Sequence, residues 1–212
     1  MQIQKLIDDS LLKEQESRKD RVRSGKISPS ALGWCYRRQY FNLNNTPQTN
    51  PPDSRALRIF KVGHLFHEFI QGYMPENECE VLAENEDIKG YADIVTKDTV
   101  YDIKSQHSRG FWYMNKDGYD VKKEKYNNWL QLACYGIILK KEKLGLVIVS
   151  KDDMCMNEYI EQTNDWADKL AKEIYTINEN KDKMPPAEAR MYKGKECTYC
   201  NWKDKCKEIE KE

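Results

Sequence analysis

Apolar residues recur every three or four positions in five stretches of the chain, the spacing of amphipathic helices. The predicted helices cover residues 3–23, 31–43, 53–73, 126–139 and 166–177. Ser28 and Pro29 provide cap and first-turn chemistry for the second helix. Residues 42–52 are rich in Asn and Pro and predict a loop.

Alternating apolar and polar residues predict five strands, at residues 79–83, 88–95, 99–103, 144–150 and 154–162. Polar turns separate the first three strands, which favours a meander. Residues 105–120 are polar, aromatic and interrupted by Gly, so we expect a loop there. The fold class is α/β: a mixed sheet with helices on its faces and both chain ends outside it.

The chain has 212 residues and a mean hydropathy of −0.89, which suits one soluble domain. Its longest aliphatic run, residues 146–149, is far shorter than the roughly 20 residues that span a membrane. We therefore expect neither a membrane segment nor a secretory signal, and a cytoplasmic location. An odd count of seven cysteines favours metal ligation or free thiols in a reducing compartment.

The zero net charge of the chain conceals a segregation of charge. Residues 1–75 carry +5, residues 76–100 carry −6, residues 101–151 carry +5 and the remainder carries −4. Two basic stretches thus flank an acidic segment. This pattern is compatible with a metal-binding core between polyanion-binding walls, and also with ordinary solvated surface charge.

The C-terminal cysteines have metal-ligand spacing. Cys197 and Cys200 form a CxxC pair, and Cys206 follows in a segment too polar to bury thiols for packing. Three thiolates this close need a cation, and both zinc and iron–sulfur sites want a fourth ligand. Cys35, next to Trp34 and two arginines, is the best candidate. The other three cysteines lie in apolar patterns and are expected in the core. They are Cys79, Cys134 and Cys155.

A second candidate site lies in the third predicted strand. Period 2 sends Asp102 and Lys104 to one face and Ile103 to the other. The preceding strand ends near Asp93, and antiparallel pairing would bring Asp93 and Asp102 together. Two close carboxylates repel unless a cation lies between them. His67, and the Gln131 and Tyr135 pair on one helical face, add candidate polar groups that individually have ordinary explanations.

The joint order of these motifs resembles the RecB-like branch of the PD-(D/E)XK nucleases. More narrowly, it is similar to the iron–sulfur nucleases of the CRISPR-associated Cas four family. The resemblance runs from about Ser28 to Cys206 and includes the opening segment, residues 30–38. The motifs that carry it are Gly63-x3-His67, Gly90-x2-Asp93, Asp102-Ile103-Lys104 and Gln131-x3-Tyr135, bracketed by Cys35 and Cys197/Cys200/Cys206.

The resemblance implies a restriction-endonuclease-like sheet and a [4Fe–4S] cluster on Cys35, Cys197, Cys200 and Cys206 that joins the two ends of the chain. It implies a Mg²⁺ or Mn²⁺ site held by His67, Asp93, Asp102 and the Ile103 carbonyl, the imidazole favouring Mn²⁺. Lys104 is the implied catalytic lysine. Gln131 and Tyr135 would hold that lysine or the DNA backbone.

An aromatic stretch supplies a candidate DNA contact. Phe111, Trp112 and Tyr113 lie beside Arg109 and Lys116, and such a segment can stack unpaired bases.

We divide the chain into an amphipathic helical extension (residues 1–27), a nuclease domain (28–206) and a charged tail (207–212). The leading hypothesis is a metal-dependent DNA exonuclease acting on single strands or frayed ends. Its setting would be CRISPR spacer acquisition, with integrase proteins as partners, or recombination in a virus or mobile element. One alternative is a non-catalytic DNA-end-binding or partner-docking module held together by its cluster. A zinc-stapled structural protein is another, but it leaves the nuclease motifs unexplained.

Overall fold

Five strands form one mixed sheet in the order β1-β2-β3-β4-β5. The computed structural model describes residues 2–18 and 24–211. The strands are β1 (Cys79–Glu84), β2 (Lys89–Val95), β3 (Thr99–Gln106), β4 (Lys143–Ser150) and β5 (Met156–Gln162). Strands β3 and β4 run parallel, whereas the other neighbours are antiparallel. The sequence predicted all five strands, although β3 extends three residues further than expected.

Helices and short 3₁₀ turns connect and cover the strands. The helices are α1 (Gln2–Glu16), α2 (Tyr36–Leu43), α3 (Ser54–Gln71), α4 (Ser108–Met114), α5 (Val121–Glu124), α6 (Tyr126–Ile138), α7 (Asn164–Glu179) and α8 (Lys203–Ile209). The 3₁₀ turns are Pro29–Ala31, Glu76–Glu78 and Tyr192–Tyr199.

The sheet has a helix layer on each face. Helix α6 packs on β3 and β4 with α7 beside it, and every residue from Asn128 to Gly136 is buried. Such a helix, apolar or buried on all sides, is typical of a protein interior. On the opposite face, Phe66 and Ile70 of α3 pack against a small cluster of strand residues, Ile94, Ile103 and Val149. The expected mixed sheet flanked by helices is therefore confirmed.

The predicted second helix is wrong in its first turn. Residues 29–31 form a 3₁₀ turn, and the chain then turns before α2 begins at Tyr36. The cause is Gly33, whose φ of +79° lies in the left-handed region and interrupts a right-handed helix. Cys35 is consequently the extended N-cap residue of α2 rather than a residue inside a helix.

The predicted loop at residues 105–120 contains a helix. His107 caps α4 by accepting a hydrogen bond from the Arg109 N–H, which satisfies one of the free donors at the helix start. Phe111 and Met114 then face the core. The polar and Gly-containing sequence concealed this seven-residue helix because it is too short to show a clear period.

The chain ends pack onto the central fold. Helix α1 lies beside α3, where Asp8 pairs with Arg58, and the end of the predicted first helix, residues 19–23, lies outside the described residues. Ile27 is buried and bridges to Ile88, and α8 crosses the proposed boundary between residues 206 and 207. Within the ranges described, no helix combines the length and apolar character needed to cross a membrane.

Candidate active site

A cleft opens where β2 and β3 separate. The two strands pair at Val95–Val100 and Ile94–Tyr101, and the next facing positions are Asp93 and Asp102. Instead of a further backbone pair at this point, the Asp93 carboxylate accepts a hydrogen bond from the Ile103 N–H at 2.6 Å. The Asp93 side chain thus accepts the hydrogen bond from a backbone N–H of β3. The Asp93 and Asp102 side chains lie where β2 and β3 begin to separate.

Asp102 is a buried carboxylate with one unsatisfied oxygen. Its Oδ1 accepts hydrogen bonds from Lys104 Nζ at 2.6 Å and from Gln131 Nε2 at 2.9 Å. Its Oδ2 is buried and has no hydrogen-bond partner among the described residues. Burial raises the pKa of Asp102 to about 6 against the opposing charge of Lys104. An acceptor left in this state costs about 1–3 kcal/mol of stability, which a bound cation would relieve.

His67 approaches Asp93 from α3. Its Nδ1 lies 3.4 Å from Asp93 Oδ2. Burial alone would lower the pKa of His67, but the hydrogen bond and negative charge of Asp93 raise it above its ordinary value. Burial would raise the pKa of Asp93, yet His67, Lys104 and the Ile103 N–H together lower it. Both shifts favour a charge-assisted contact between the two side chains, and metal binding at this pair would require His67 to be neutral.

The Glu80 carboxylate lies close to His67 and Asp93, and no sequence pattern predicted this position. Ligand atoms of His67, Glu80 and Asp93 all lie within 4.8 Å of one another, close enough to hold a metal ion. The Gln71 amide positions two of these residues by donating to Glu80 Oε1 at 2.8 Å and to the Asp93 carbonyl oxygen at 2.9 Å. Glu80 is one of many acids in residues 76–100, so nothing in the sequence distinguished it.

Lys104 supplies positive charge to the cleft, and Lys125 lies close to Lys104. Lys104 Nζ contacts Asp102 and also lies 3.4 Å from the Ile103 carbonyl oxygen, so it bridges two of the oxygens expected to bind metal. Lys125, which the sequence analysis did not single out, donates to Gln106 Oε1 at 2.8 Å. Burial and the nearby charge of Lys104 lower the pKa of Lys125.

Gln131 holds the carboxylate rather than the lysine. Its amide donates to Asp102, and its contact with the Tyr135 hydroxyl is long, at 3.5 Å. Tyr135 is buried, and a Cβ at Gly90 would lie 3.2 Å from its ring and 2.7 Å from Pro29. The glycine of the Gly90-x2-Asp93 motif therefore permits close packing against β2. Gln131 and Lys104 both donate to Asp102 Oδ1, and the expectation that Gln131 and Tyr135 hold the lysine or the DNA backbone stays a prediction.

We call His67, Glu80, Asp93, Asp102 and Lys104 the carboxylate cleft. All except Asp102 line a cavity of about 700 Å³ between α3 and the sheet. Asp102 lies beneath this cavity, connected to it through Lys104.

We call the four cysteines predicted as cluster ligands, Cys35, Cys197, Cys200 and Cys206, the cysteine seam. Burial raises the pKa of Cys197, and the neighbouring Cys35 and Cys206 thiols raise it further. Burial also raises the pKa of Cys200, and Cys35 and Cys197 add to that shift. Arg37 Nη1 donates to Cys206 Sγ at 3.3 Å.

Protein contacts connect the two sides of the cysteine seam. Buried Glu196 accepts hydrogen bonds from the N–H groups of Cys35, Arg190 and Met191. Nearby, Trp202 donates its indole N–H to the Thr46 carbonyl oxygen at 2.9 Å. The N- and C-terminal segments are thus joined by hydrogen bonds and packing.

Two sequence expectations about other residues are wrong. Phe111 is 1% exposed and belongs to the core, whereas Trp112 and Tyr113 are about half exposed, so the three do not form one stacking surface. Cys134 is buried as expected, but Cys79 is only partly buried and Cys155 is exposed, because Cys155 precedes β5 instead of lying within it.

Neither a protein-family model nor a curated protein matches the sequence. Solved structures match the fold. One is SSO0001, at 19% identity and a TM-score of 0.58 over 96% of each chain. Another is the alkaline exonuclease LHK-Exo from Laribacter hongkongensis, at 14% identity and a TM-score of 0.51. That match covers 76% of this chain and 89% of the exonuclease.

The chain shares its fold with an alkaline exonuclease. At this identity the likeness concerns the fold alone. The alkaline-exonuclease fold accounts for the five-stranded mixed sheet and its flanking helices.

Proposed function

We propose that this protein is a metal-dependent DNA nuclease, an exonuclease that acts on single-stranded DNA or frayed DNA ends. One observation carries the proposal: Asp102 is fully buried with an unpartnered carboxylate oxygen, directly beside Asp93 and Lys104. A structural acid would have its oxygens satisfied. An unsatisfied carboxylate beside a His/Glu/Asp group suits a divalent cation.

The donor set fits Mg²⁺ or Mn²⁺, with the His67 imidazole favouring Mn²⁺. We assign metal ligation to His67, Asp93, Asp102 and the Ile103 carbonyl, and we add Glu80 to that set. A bound divalent cation supplies a water of lowered pKa and screens the charge that develops on the scissile phosphate.

Lys104 is the proposed catalytic lysine. Its Nζ donates to Asp102 Oδ1 at 2.6 Å, and its side chain is 35% exposed. We assign it the role of donating to the attacking water and to a phosphate oxygen, which would stabilise the pentacovalent transition state. Gln131 is a positioning residue, because it fixes Asp102 through Oδ1.

We further propose that the cysteine seam binds a [4Fe–4S] cluster. Burial and neighbouring thiols raise the pKa of Cys197 and of Cys200, and a cation would relieve this cost by accepting them as thiolates. Tetrathiolate ligation permits both zinc and an iron–sulfur cluster, and the resemblance to the iron–sulfur nucleases favours iron.

The biological setting is a separate proposal: prespacer processing in CRISPR spacer acquisition, or end resection during recombination of a virus or mobile element. A CRISPR integrase pair that co-purifies with the protein, or is encoded beside it, supports the first. Phage replication genes beside it support the second.

Cleavage by paired variants tests the enzymatic proposal. In Mn²⁺, Asp102→Ala and Lys104→Ala should each lower the cleavage rate of end-labelled single-stranded DNA on the order of 10³-fold. In Ca²⁺, which should bind without supporting hydrolysis, Asp102→Ala should keep or improve DNA affinity and Lys104→Ala should weaken it slightly. The two binding changes have opposite signs because one variant removes a negative charge and the other a positive one.

Glu179→Ala and Lys181→Ala provide the control, since this exposed pair has the same spacing at the end of α7. Both control variants should cut normally. If the parent protein binds DNA but cuts none in Mg²⁺ or Mn²⁺, it is the non-catalytic binding module instead. If Asp102→Ala cuts at the parental rate, the assigned site is wrong.

A further inference from the structure

One face of α3 forms a wall of the cavity. Phe60, Gly63, His64, His67 and Gln71 repeat at three- and four-residue intervals, so they lie on one helical face, and all of them line the cavity. The same face thus carries a metal-binding end at His67 and an aromatic end at Phe60. The two positions are separated by two helical turns, about 10 Å along the axis.

The aromatic end contributes nothing to the core. Phe60 is 51% exposed and its neighbour Ile59 is 48% exposed, and both border the cavity. His64 Nδ1 lies 2.8 Å from the Phe60 carbonyl oxygen, which fixes Nδ1–H as the donor and leaves Nε2 free to accept. Half-exposed apolar side chains beside polar groups in a cleft are typical of a ligand site.

Gly63 lies between the two ends without a packing reason. A Cβ at this position would meet only the Ser105 hydroxyl, at an ordinary contact distance of 3.9 Å. Glycine is unfavourable inside a helix, so the fold alone would prefer alanine here. The missing side chain keeps the cleft wide between Phe60 and His67.

The opposite wall supplies charge for a nucleic-acid strand. Lys104, Ser105 and Lys151 line it, and the acids Glu68 and Glu80 belong to the α3 side and to β1. A strand whose phosphate lies at the metal-binding end therefore passes two cations. The interval of about 10 Å from His67 to Phe60 corresponds to at most about three nucleotides at 3.4 Å each, so a base near the cleavage point can reach Phe60.

We propose that Phe60, with Ile59 and His64, is a base-stacking subsite for an unpaired nucleotide within about three positions of the cleavage point, and that Gly63 keeps the path to it open. This inference rests on the proposed nuclease function and names its substrate as single-stranded DNA. An aromatic face is sequence-tolerant but needs an unstacked base, which a blunt duplex does not offer. It also moves the base contact away from residues 111–113, none of which lines the cavity.

Affinity in Ca²⁺ tests the subsite on the full chain. The probes are fluorescent single strands that are intact or carry one abasic position at each of the first four nucleotides from either end. Phe60→Ala should weaken binding of the intact strand at least about fivefold. Phe60→Tyr should restore it. At one abasic position, the parent protein should lose the same factor and Phe60→Ala should lose nothing further.

Phe69→Ala is the matched control, because Phe69 lies on the same helix at 48% exposure but does not line the cavity. It should bind like the parent protein. Gly63→Leu should weaken strand binding without lowering Tm, since it fills the cleft and not the core.

Two results would overturn the subsite, and they differ from failure of the nuclease proposal. If Phe60→Ala binds like the parent protein, or loses as much as the parent at every abasic position, Phe60 does not stack on a base. Metal-dependent cleavage by the parent would then still stand. If the parent protein neither binds nor cuts single-stranded DNA, the nuclease proposal itself fails.

Discussion

The carboxylate cleft and the cysteine seam assemble their side chains in opposite ways. Four residues of the cleft come from the adjacent strands β1, β2 and β3, and folding leaves one Asp102 oxygen without a hydrogen-bond partner among the described residues. The residues of the seam come from a helix cap, a 3₁₀ turn and a short helix. There, Glu196 and Trp202 already join the two chain ends through hydrogen bonds.

The two sites therefore differ in what a bound cation would contribute to stability. In the cleft, burial of the Asp102 carboxylate costs stability that the proposed metal would relieve, so stability and chemistry compete. In the seam, protein contacts hold the fold, and the proposed cluster would add to them. Changes in the cleft should therefore affect cleavage far more than stability, and changes in the seam should do the reverse.

The largest expected effect among the tests of this contrast is at Gln131. Because its amide fixes Asp102, Gln131→Ala should lower the cleavage rate about 10–100-fold, as loss of a residue that orients a metal ligand does. Tyr135→Phe should have a much smaller effect, since its hydroxyl makes only the 3.5 Å contact. Steady-state cleavage in Mn²⁺ measures both. Equal effects would mean that Asp102 does not depend on Gln131.

Low pH should weaken metal binding in the carboxylate cleft through two groups. Asp102, with a pKa of about 6, and His67, with a raised pKa, must both lose protons to bind metal. Mn²⁺ affinity should therefore fall as pH falls below 7, by about tenfold per pH unit for each group that takes up a proton. Calorimetric titration from pH 5.5 to 8 measures it. An affinity that does not change over this range would show that these two groups are not ligands.

A cysteine variant should produce the smallest effect on cleavage. Cys197→Ser should lose iron, labile sulfide and brown colour in protein purified without oxygen, and lower Tm by roughly 5 °C. Cleavage should stay within a few fold because the sheet does not change. Cys155→Ser is the control, since Cys155 is exposed and outside the seam. A colourless parent protein with one zinc and no sulfide would refute the cluster.

Strand periodicity predicted the centre of the cleft well. The alternation around Asp102 and Lys104 predicted that both lie on one face of β3. The short turn after Asp93 predicted that β2 and β3 pair antiparallel. The helical pattern of residues 126–139 likewise placed Gln131 facing the sheet. Local periodicity carries this information because neighbouring strands constrain each other directly.

The sequence did not predict the contacts between distant segments. Glu80 reaches the cleft from β1 with a left-handed φ of 49°, and no pattern marks one acid in an acidic stretch for that conformation. Lys125 precedes α6 in a polar segment, and only the tertiary fold makes it partly buried. Phe111 looked available for stacking because a seven-residue helix gives too few turns to reveal its inner face.

The central claim is that the buried Asp102 carboxylate lowers the stability of the metal-free protein and that metal binding at this carboxylate restores it. Thermal unfolding of the parent protein and Asp102→Asn at pH 7.5, with and without Mn²⁺, tests it most directly. Without metal, Asp102→Asn should raise Tm by about 3 °C because it replaces a fully buried carboxylate, whose Oδ2 has no hydrogen-bond partner among the described residues, with a neutral amide. Mn²⁺ should raise the Tm of the parent and leave the variant nearly unchanged. A variant less stable than the parent without metal, yet equally stabilised by Mn²⁺, would contradict the account.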